Sequence, residues 1–308
     1  MKAIVFGGSG FLGSHVADAL AQRGFEVAVY DRVRSPYPGK NQTMIVGDIL
    51  EAAKVKKFVA GCDYVYNFAG IADIAEAGKD PVRTIEANIV GNANILEACR
   101  QAKVGRFVFA SSVYVYSDLA PFYRSSKQAC ELIIEDYARA FGLDYTILRY
   151  GSLYGPRAND SNFIRKILRQ AVAEGKISRA GDGEEIRDYI HVLDAAKCSV
   201  DILVEEFKNQ HVLLTGTQST KVTELFTMIK EMLQGRIEIE YLPGKNSDHY
   251  EITPYAFRPR VAKKFVSQSY HDLGQGILDV LYEIHAESDA KSKELGEVKR
   301  LLETGIQE

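Results

Sequence analysis

A tyrosine and a lysine four residues apart are the first candidates for chemistry in this sequence. Tyr123 and Lys127 lie near the start of a predicted helix, where residues i and i+4 share a face. A cation beside a phenol favours the phenolate, whose ordinary pKa is about 10, and so makes proton transfer possible. Ser112, at the end of a predicted strand, offers a hydroxyl to a substrate oxygen. Together they predict general acid–base chemistry, although many Tyr-x-x-x-Lys pairs are surface pairs on helices.

A glycine-rich loop near the amino terminus is the second candidate. Gly7, Gly10 and Gly13 follow the first predicted strand, with Phe11 and Leu12 at the start of the first predicted helix. Glycine lets the chain turn sharply and lets its backbone approach a pyrophosphate, while the helix terminus offers unpaired N–H groups. The loop therefore predicts dinucleotide binding, although plain strand-to-helix turns can have the same glycines.

An acidic residue after the second predicted strand bears on which dinucleotide binds. Asp31 follows Gly13 at close to the usual spacing of about 20 residues, where a carboxylate accepts hydrogen bonds from ribose hydroxyls. It would repel a 2′-phosphate, which favours NAD over NADP. The neighbouring Arg32 could instead meet that phosphate. We expect NAD.

Residues after the next strands are candidates for further walls of the cofactor cleft. A carboxylate after the third strand could face the adenine amino group, and small residues after the fourth could admit the nicotinamide ribose. Ligands bind beyond the carboxyl ends of parallel strands, although ordinary strand-end turns would look the same. The remaining predicted cofactor-binding residues are Asp48, Ile49, Phe68, Ala69, Gly70, Asn88, Ser111 and Tyr150, beside Tyr123 and Lys127 themselves.

The elements that must position these residues alternate between short apolar runs and amphipathic stretches. Nearly continuous apolar runs are typical of strands covered on both faces, and strand–helix alternation predicts a parallel, doubly wound α/β sheet of Rossmann type. The pattern loosens after residue 150, which predicts a smaller α/β substrate lobe. Predicted strands cover residues 2–6, 27–30, 44–46, 64–68, 106–110, 145–148 and 212–215, and predicted helices cover 12–23, 87–103, 127–141, 162–174 and 222–233.

The predicted domains are discontinuous in sequence. Residues 1–155 plus about 188–216 form the expected dinucleotide-binding domain. Residues of about 156–187 plus 217–308 form the expected substrate lobe with a C-terminal helix. The charged stretch 285–308 is predicted to be a solvent-exposed helix, with a partner-binding coil as the alternative.

Composition argues against several partners. Lys and Arg number 38 against 41 Asp and Glu, a net charge of −3, which gives no positive field for nucleic acid or an acidic membrane. No apolar run approaches the ~18 residues of a membrane span, and the amino-terminal run is too short for a signal peptide. The 4 cysteines and 6 histidines lack metal-ligand spacing, so we expect no metal site and free thiols in a cytoplasmic protein.

The motifs together resemble the extended short-chain dehydrogenases/reductases. In particular, they resemble the NAD-dependent sugar-nucleotide epimerase/dehydratase branch that includes UDP-galactose 4-epimerase. The resemblance covers roughly residues 1–203, and the remainder matches in outline. It rests on Gly7, Gly10, Gly13, Asp31, Asp48, Ser112, Tyr123, Lys127 and the stretches 148–157 and 181–192.

The resemblance implies a role for each residue of the site. Tyr123 would transfer the proton, Ser112 would bond the substrate oxygen, and Lys127 would hold the nicotinamide ribose and tune the tyrosine. Arg187 would pair with the phosphates of a nucleotide, where a planar guanidinium suits the oxygens, unless it is a capping or salt-bridge residue. Ser152 stands where an asparagine near the phosphates is usual.

Other positions differ from the family pattern or lie where the resemblance is weak. Arg258 is a candidate second phosphate contact, with surface solvation as the alternative. The position after Ser112, acidic in the 4,6-dehydratases, is Val113 followed by Tyr114, which speaks against dehydration. The loop over residues 117–122 is shorter than in relatives, so the substrate mouth is expected to be more open.

These observations predict NAD-dependent oxidation and reduction of a nucleotide-linked sugar at C4, as an epimerase working through a 4-keto intermediate. A C4 dehydrogenase or 4-ketoreductase shares the first step and stays open as an alternative. A non-catalytic NAD-sensing module and a reductase for a non-sugar substrate are rival hypotheses. Neither the sugar nor the nucleobase follows from the sequence.

Two predicted helices also bear on assembly. The helices over 87–103 and 123–141 carry more apolar width than one core-facing stripe needs. The resemblance implies that they pair about a two-fold axis, as a homodimer built on a four-helix bundle. The alternative is that both helices are simply buried within one subunit.

Overall fold

The described chain, residues 1–244, 263–265 and 271–287 of a computed structural model, contains thirteen strands. The central ones are short and rich in β-branched and aromatic residues, which suit a pleated surface packed on both faces. In chain order the strands are β1 (Lys2–Phe6), β2 (Glu26–Asp31), β3 (Gln42–Val46), β4 (Tyr64–Asn67), β5 (Arg106–Ser112), β6 (Tyr145–Tyr150), β7 (Ser152–Tyr154), β8 (Lys176–Ala180), β9 (Ile186–His191), β10 (Gln210–Leu214), β11 (Ser219–Lys221), β12 (Glu238–Leu242) and β13 (Lys263–Lys264).

Eight of the described strands form one parallel sheet. Their spatial order is β13-β10-β6-β5-β4-β1-β2-β3, and every neighbouring pair is parallel. The order reverses between β1 and β4, because the chain runs outward to β3 before it returns to β4. In doubly wound folds ligands bind beyond the carboxyl ends of the strands at such a reversal. The predicted Rossmann-type α/β fold is confirmed.

Helices cover both faces of this sheet, and others belong to the smaller unit described below. The described helices are α1 (Phe11–Gln22), α2 (Ala52–Val59), α3 (Ile74–Lys79), α4 (Pro81–Ile85), α5 (Gly91–Ala102), α6 (Tyr123–Phe141), α7 (Phe163–Glu174), α8 (Val192–Asp201), α9 (Val222–Met232) and α10 (residues 273–287). Leu20 of α1 and Ala195 of α8 pack against Val5 on one face. Ile95 of α5 and Ile134 of α6 join the core on the other face. Successive side chains of each strand point to opposite faces of the sheet, so they contribute to two apolar cores.

A smaller α/β unit follows the central strands. β9 pairs with β7 and β11, and β8 pairs with β12. Side chains of α7, α9 and α10 enclose a third apolar core, which includes Leu168, Phe226 and Ile277. The predicted residue boundaries of the two domains stay a prediction.

The ends of several elements differ from those predicted. β4 ends at Asn67 rather than at residue 68, and β6 continues to Tyr150. The helix predicted over 87–103 begins as a π turn, Glu86–Val90, which connects α4 to α5. Of the predicted terminal helix over 285–308, residues 285–287 belong to α10 and the others lie outside the described residues.

The four cysteines, Cys62, Cys99, Cys130 and Cys198, are buried free thiols, as expected. Burial raises the pKa of the Cys62 thiol to about 11, so the thiol stays protonated at neutral pH. Among the described helices, none has the length and apolar character that crossing a bilayer requires.

A histidine cluster ties α10 to the rest of the protein. The backbone N–H and ring Nδ1 of His271 bond the carboxylate of Asp194, at 2.7 and 2.8 Å. The ring of His271 stacks on that of His191, with centroids 4.5 Å apart. The sequence spacing did not predict this cluster, because its members come from distant segments that only the fold brings together.

His191 is held neutral in this cluster. Its residue is 2% exposed, and within the described ranges neither ring nitrogen has a hydrogen-bond partner. Burial, aided by the charge of His271, lowers the pKa of His191 to about 4 from its ordinary value of 6.5. The folded state therefore binds this proton less readily than the unfolded chain does.

The pH dependence of stability tests this arrangement. Because the folded pKa lies below the unfolded one, the contribution is present above pH 6.5 and is lost as pH falls toward 4, up to about 3 kcal/mol. We expect His191→Gln to flatten the loss of unfolding free energy between pH 7 and pH 4.5, measured by urea denaturation. The control is His285→Gln, which removes an exposed imidazole. Equal pH profiles for the two variants would contradict the assignment.

Candidate functional site

The glycine loop between β1 and α1 is shaped by close backbone approach. Gly7 has φ +76°, and a Cβ there would lie 2.6 Å from the backbone of Phe68 and Ala69. A Cβ on Gly13 would lie 2.2 Å from the carbonyl oxygen of Gly7. Gly10 caps α1 in an extended conformation, with no side-chain cap from the described chain. The loop is therefore closed against the β4 loop, and the amide groups at the start of α1 stay available for an anion.

Asp31 faces this loop from the end of β2. Its carboxylate accepts the amide of Ser9 at 3.1 Å and that of Val33 at 3.3 Å. The Ser9 hydroxyl in turn donates to the carbonyl of Val33 at 2.8 Å. Arg32 is exposed at the rim. The negative group thus stands directly beside the glycine loop, where a 2′-phosphate would meet it.

The turn after β3 provides the next wall. The carboxylate of Asp48 accepts the amide of Leu50 at 2.9 Å, and its carbonyl accepts the Tyr30 hydroxyl at 3.0 Å. Ile49 is buried, and its carbonyl accepts from Asn94 of α5 at 3.0 Å. These bonds fix the turn at the same edge of the sheet as Asp31.

Asn88 holds the loop after β4 rather than projecting freely into a cleft. Its side-chain amide bonds both backbone groups of Ile71, at 2.7 and 3.0 Å, and donates to Ser126 at 2.9 Å. A Cβ on Gly70 would lie 2.5 Å from its oxygen. The backbone carbonyl of Asn88, which lies in the π turn, accepts a hydrogen bond from the thiol of Cys130 at 3.1 Å. Asn88 therefore locks Gly70 and α6 together.

Tyr123 and Lys127 lie one turn apart on α6, as predicted. Both are buried, and the ammonium of Lys127 is 5.9 Å from the Tyr123 ring centroid. Lys127 donates to the carbonyl of Ala110 at 2.8 Å and lies 4.8 Å from the centroid of the Phe109 ring. Burial lowers the pKa of Lys127 from its ordinary value. A poorly hydrated cation thus stands beside the phenol.

Ser112 ends β5 on the same edge of the sheet. It begins a short 3-10 helix, Val113–Tyr116, and its hydroxyl accepts the amide of Tyr114 at 3.3 Å. The ring of Tyr114 meets that of Tyr123 edge to face, with centroids 6.2 Å apart. Ser112, Tyr123 and Lys127 are therefore brought to one place by β5 and α6.

Two predicted cofactor residues have their side chains committed elsewhere. The Ser111 hydroxyl donates to the buried carboxylate of Glu131 at 2.5 Å. Tyr150 lies in the core, its hydroxyl 2.6 Å from that of Ser199, and burial raises its pKa well above the ordinary value. Only their backbone groups, at the carboxyl ends of β5 and β6, are left for a ligand.

The predicted substrate residues lie in the small unit. Ser152 begins β7 opposite Tyr189 of β9. Arg187 of β9 is buried, and its guanidinium donates to the carbonyl of Ile186 at 3.1 Å. Its charge lowers the pKa of Arg179, after the larger effect of burial. Arg258 lies outside the described residues.

Sequence reasoning missed several residues that shape the site. Gln128 donates to the carbonyl of Val115 at 2.7 Å, beside Ser112. Asn67 bonds Asn92 at 2.8 Å and accepts the amide of Ala69 at 3.0 Å, which fixes the β4 loop from below. Position on α6, one residue after Lys127, was an available signal for Gln128, whereas nothing in the sequence paired Asn67 with Asn92.

The arrangement fits a dinucleotide. The glycines leave a cradle that Cβ atoms would fill, the start of α1 points its amides there, and Asp31 stands where ribose hydroxyls would bond. Comparison with known proteins agrees. A family model described as the NAD dependent epimerase/dehydratase family matches residues 3–214.

The chain belongs to that family. Its cofactor is NAD, and it is an NAD-dependent enzyme of the epimerase/dehydratase type. This member is 28% identical over 283 residues to a UDP-glucose 4-epimerase of Rhizobium meliloti, covering 80% of this chain and 86% of that protein. It is also 26% identical to a UDP-N-acetyl-alpha-D-glucosaminuronate decarboxylase of Bacillus cytotoxicus, covering 79% and 83%.

A solved structure agrees in fold. The UDP-glucose 4-epimerase of Thermotoga maritima, crystallised with UDP-glucose, superposes with a TM-score of 0.79. The sequences are 25% identical, and the match covers 93% of this chain and 99% of that one. The likeness therefore extends well past the central sheet.

Closing the glycine cradle should abolish cofactor binding. In Gly13→Ala the new methyl group would collide with the Gly7 carbonyl, so α1 must shift from the loop. We expect NAD affinity, measured by calorimetry, to fall by about 100-fold or more, which corresponds to about 2.8 kcal/mol.

The matched control is Gly78→Ala, where a Cβ on α3 would meet nothing within 4 Å. Alanine should there stabilise the protein by roughly 0.5–1 kcal/mol and leave NAD affinity unchanged. Retained affinity in Gly13→Ala would refute the cradle.

Proposed function

We propose that this enzyme is a nucleoside-diphosphate-sugar 4-epimerase, and that its substrate carries UDP. The observation that carries the proposal is the buried Tyr123–Lys127 pair beside Ser112, at the same sheet edge as the glycine cradle. Relatives named as UDP-glucose 4-epimerases support the substrate class.

Tyr123 is the proposed proton-transfer residue. As a phenolate it takes the proton from the sugar's C4 hydroxyl, and Ser112 donates a hydrogen bond to the oxygen as it becomes a ketone. The charge of Lys127 stabilises the phenolate, and the pair's burial strengthens that interaction. NAD held at the glycine loop and Asp31 would supply a reversible hydride acceptor for C4.

Inversion then requires that the keto-sugar present its other face. Tyr123 returns its proton to the same oxygen as the hydride arrives, so the residue is unchanged after a full cycle. The short loop over residues 117–122 leaves room at this mouth for the sugar to turn. A 4-ketoreductase would stop halfway, and product analysis separates the two activities.

The diphosphate would be held in the small unit. Arg187 is the proposed partner of its oxygens, because a guanidinium can form two parallel hydrogen bonds to phosphate. Ser152, on the strand beside β9, is proposed to contribute a hydroxyl. The further contact proposed for Arg258 rests on its sequence position.

Dehydration is disfavoured by the residues around Ser112. Expulsion of the C6 hydroxyl needs an added acid, and the two following positions are Val113, buried and apolar, and Tyr114. A sensor module is disfavoured as well, since it would have no use for an aligned phenol and ammonium.

Removing the Tyr123 hydroxyl tests the proposal. We expect Tyr123→Phe to lower kcat by about 10²–10⁴-fold with UDP-sugars, because general acid–base catalysis is worth that much. NAD affinity should fall far less than kcat, because the glycine loop still holds the dinucleotide. The measurement is conversion of UDP-glucose and of its N-acetylated and uronic acid analogues, followed by chromatography.

The control is Tyr137→Phe, which removes a half-buried hydroxyl from the same helix. Full activity in Tyr123→Phe would exclude the assigned role. Failure of the unaltered protein to convert any nucleotide sugar would exclude the proposed function.

A homodimer through α5 and α6 is the proposed assembly. The two helices pack together, yet Leu132 and Phe141 of α6 are 60% and 57% exposed, and Val90 beside α5 is 46% exposed. Large apolar side chains this exposed along one helix pair favour a partner of the same kind, which a two-fold axis supplies.

Charge placed on this surface should separate the subunits. We expect sedimentation at micromolar concentration to give a dimer for the unaltered chain and a monomer for Leu132→Glu. Tyr282→Glu, at another exposed apolar residue, is the control and should stay dimeric. A monomeric unaltered chain would refute the assembly.

A further inference from the structure

A buried ion pair lies directly behind the candidate site. Glu131 of α6 and Arg149 of β6 form a two-point contact, with Nε to Oε1 at 3.0 Å and Nη2 to Oε2 at 2.6 Å. Less than a tenth of either side chain is exposed. The pair joins the helix that carries Tyr123 to the strand next to β5.

The same pair is hydrogen-bonded to the chain on both sides of Ser112. On the amino-terminal side, the Ser111 hydroxyl donates to Glu131 Oε1 at 2.5 Å. On the carboxyl-terminal side, Arg149 donates to the hydroxyl of Tyr116, and its guanidinium lies 4.7 Å from the centroid of that ring. Ser112 therefore sits on a short segment whose two ends are fixed to one ion pair.

Two more side chains of α6 bond this segment. Lys127 reaches the carbonyl of Ala110, and Gln128 reaches the carbonyl of Val115. Tyr123 is the first residue of the same helix. The distance from the Ser112 hydroxyl to the Tyr123 phenol is thus set by a rigid helix clamped to the strand end.

Arg149 has a further partner that fixes its orientation. It donates to Nδ1 of His211 at 2.9 Å, so that nitrogen must be an acceptor and the imidazole neutral. The other ring nitrogen then donates to Glu135 Oε1 at 2.9 Å. The guanidinium of Arg149 is thus held between Glu131 and His211, which fixes its orientation.

Stability alone does not account for this network. Burial of two charges costs as much as their attraction returns, and apolar replacements are often neutral or stabilising. A carboxylate that accepts from both a guanidinium and a hydroxyl does, however, restrict geometry.

We propose that Glu131 and Arg149 are positioning residues that hold Ser112 at its working distance from Tyr123 and Lys127. This inference rests on the proposed function, because the working distance has meaning only for proton transfer at the substrate oxygen. The pair acts through Ser111 and Tyr116 and does not touch the substrate.

Ser111→Ala is the sharpest test, because it removes one bond to Ser112's neighbour and leaves the ion pair intact. We expect kcat to fall by about 10–100-fold, the effect of a small misplacement of a reacting group. KM, NAD affinity and the melting temperature should stay close to those of the control. That control is Thr146→Val, which removes a fully buried hydroxyl from β6 near its other end.

A double-variant cycle and an activity-free measurement complete the test. Adding Glu131→Gln to Ser111→Ala should cost less than the sum of the single effects, since both act on the same bond. Deuterium exchange of the peptide over residues 112–117 should rise in Ser111→Ala and stay unchanged in Thr146→Val, with or without substrate.

The outcomes separate this inference from the proposed function. The inference would be overturned if Ser111→Ala showed the same kcat and the same deuterium exchange over residues 112–117 as Thr146→Val. It would also be overturned if Ser111→Ala changed only KM or only the melting temperature. If the unaltered enzyme converts no nucleotide sugar, the proposed function fails, while the exchange comparison still decides whether the pair holds this segment.

Discussion

The buried ammonium of Lys127 is the charge on which the candidate site depends. Removing a cation from water is costly, and the Ala110 carbonyl, the Phe109 ring and the negative charge of Glu131 offset that cost. The first two belong to β5, so the lysine ties α6 to the strand that ends in Ser112. This desolvated charge acts with the Glu131–Arg149 pair to place the tyrosine relative to the serine, and it supplies the field that favours a phenolate.

Backbone geometry at the start of α6 shows how tightly this placement is enforced. Phe122, the residue before Tyr123, has φ 63° and ψ −50°, and the Tyr123 amide bonds the carbonyl of Pro121 at 2.7 Å. That is a γ-turn of the strained hand, which costs of order 1–3 kcal/mol and persists only where surrounding contacts outweigh it. The loop over residues 117–122 therefore enters α6 through a strained turn, and the Lys127 contact with β5 helps to hold Tyr123 in place.

The sequence predicted the motifs whose residues lie close together along the chain. It did not predict the side-chain contacts between distant segments. The glycine loop, Asp31 and the Tyr123–Lys127 pair are set by spacing within one strand–turn–helix unit or one helical turn, and the parallel sheet follows from alternating apolar runs. Ser111 and Tyr150 turn toward Glu131 and Ser199, residues 20 and 49 positions away along the chain. A single sequence does not pair such positions, since each side chain was equally suited to a ligand.

The same distinction separates the edge of the central sheet from the small unit. The sheet edge holds the glycine loop and the proposed proton-transfer residues, which are fixed by close backbone approach and by burial. In the small unit, the proposed phosphate partner Arg187 on β9 is buried, and its charge lowers the pKa of Arg179 after the larger effect of burial. Because Arg179 is already paired with Glu185, Arg187 is the proposed phosphate contact. A substitution in this unit would alter the proposed substrate contacts without touching the Glu131–Arg149 pair behind Ser112.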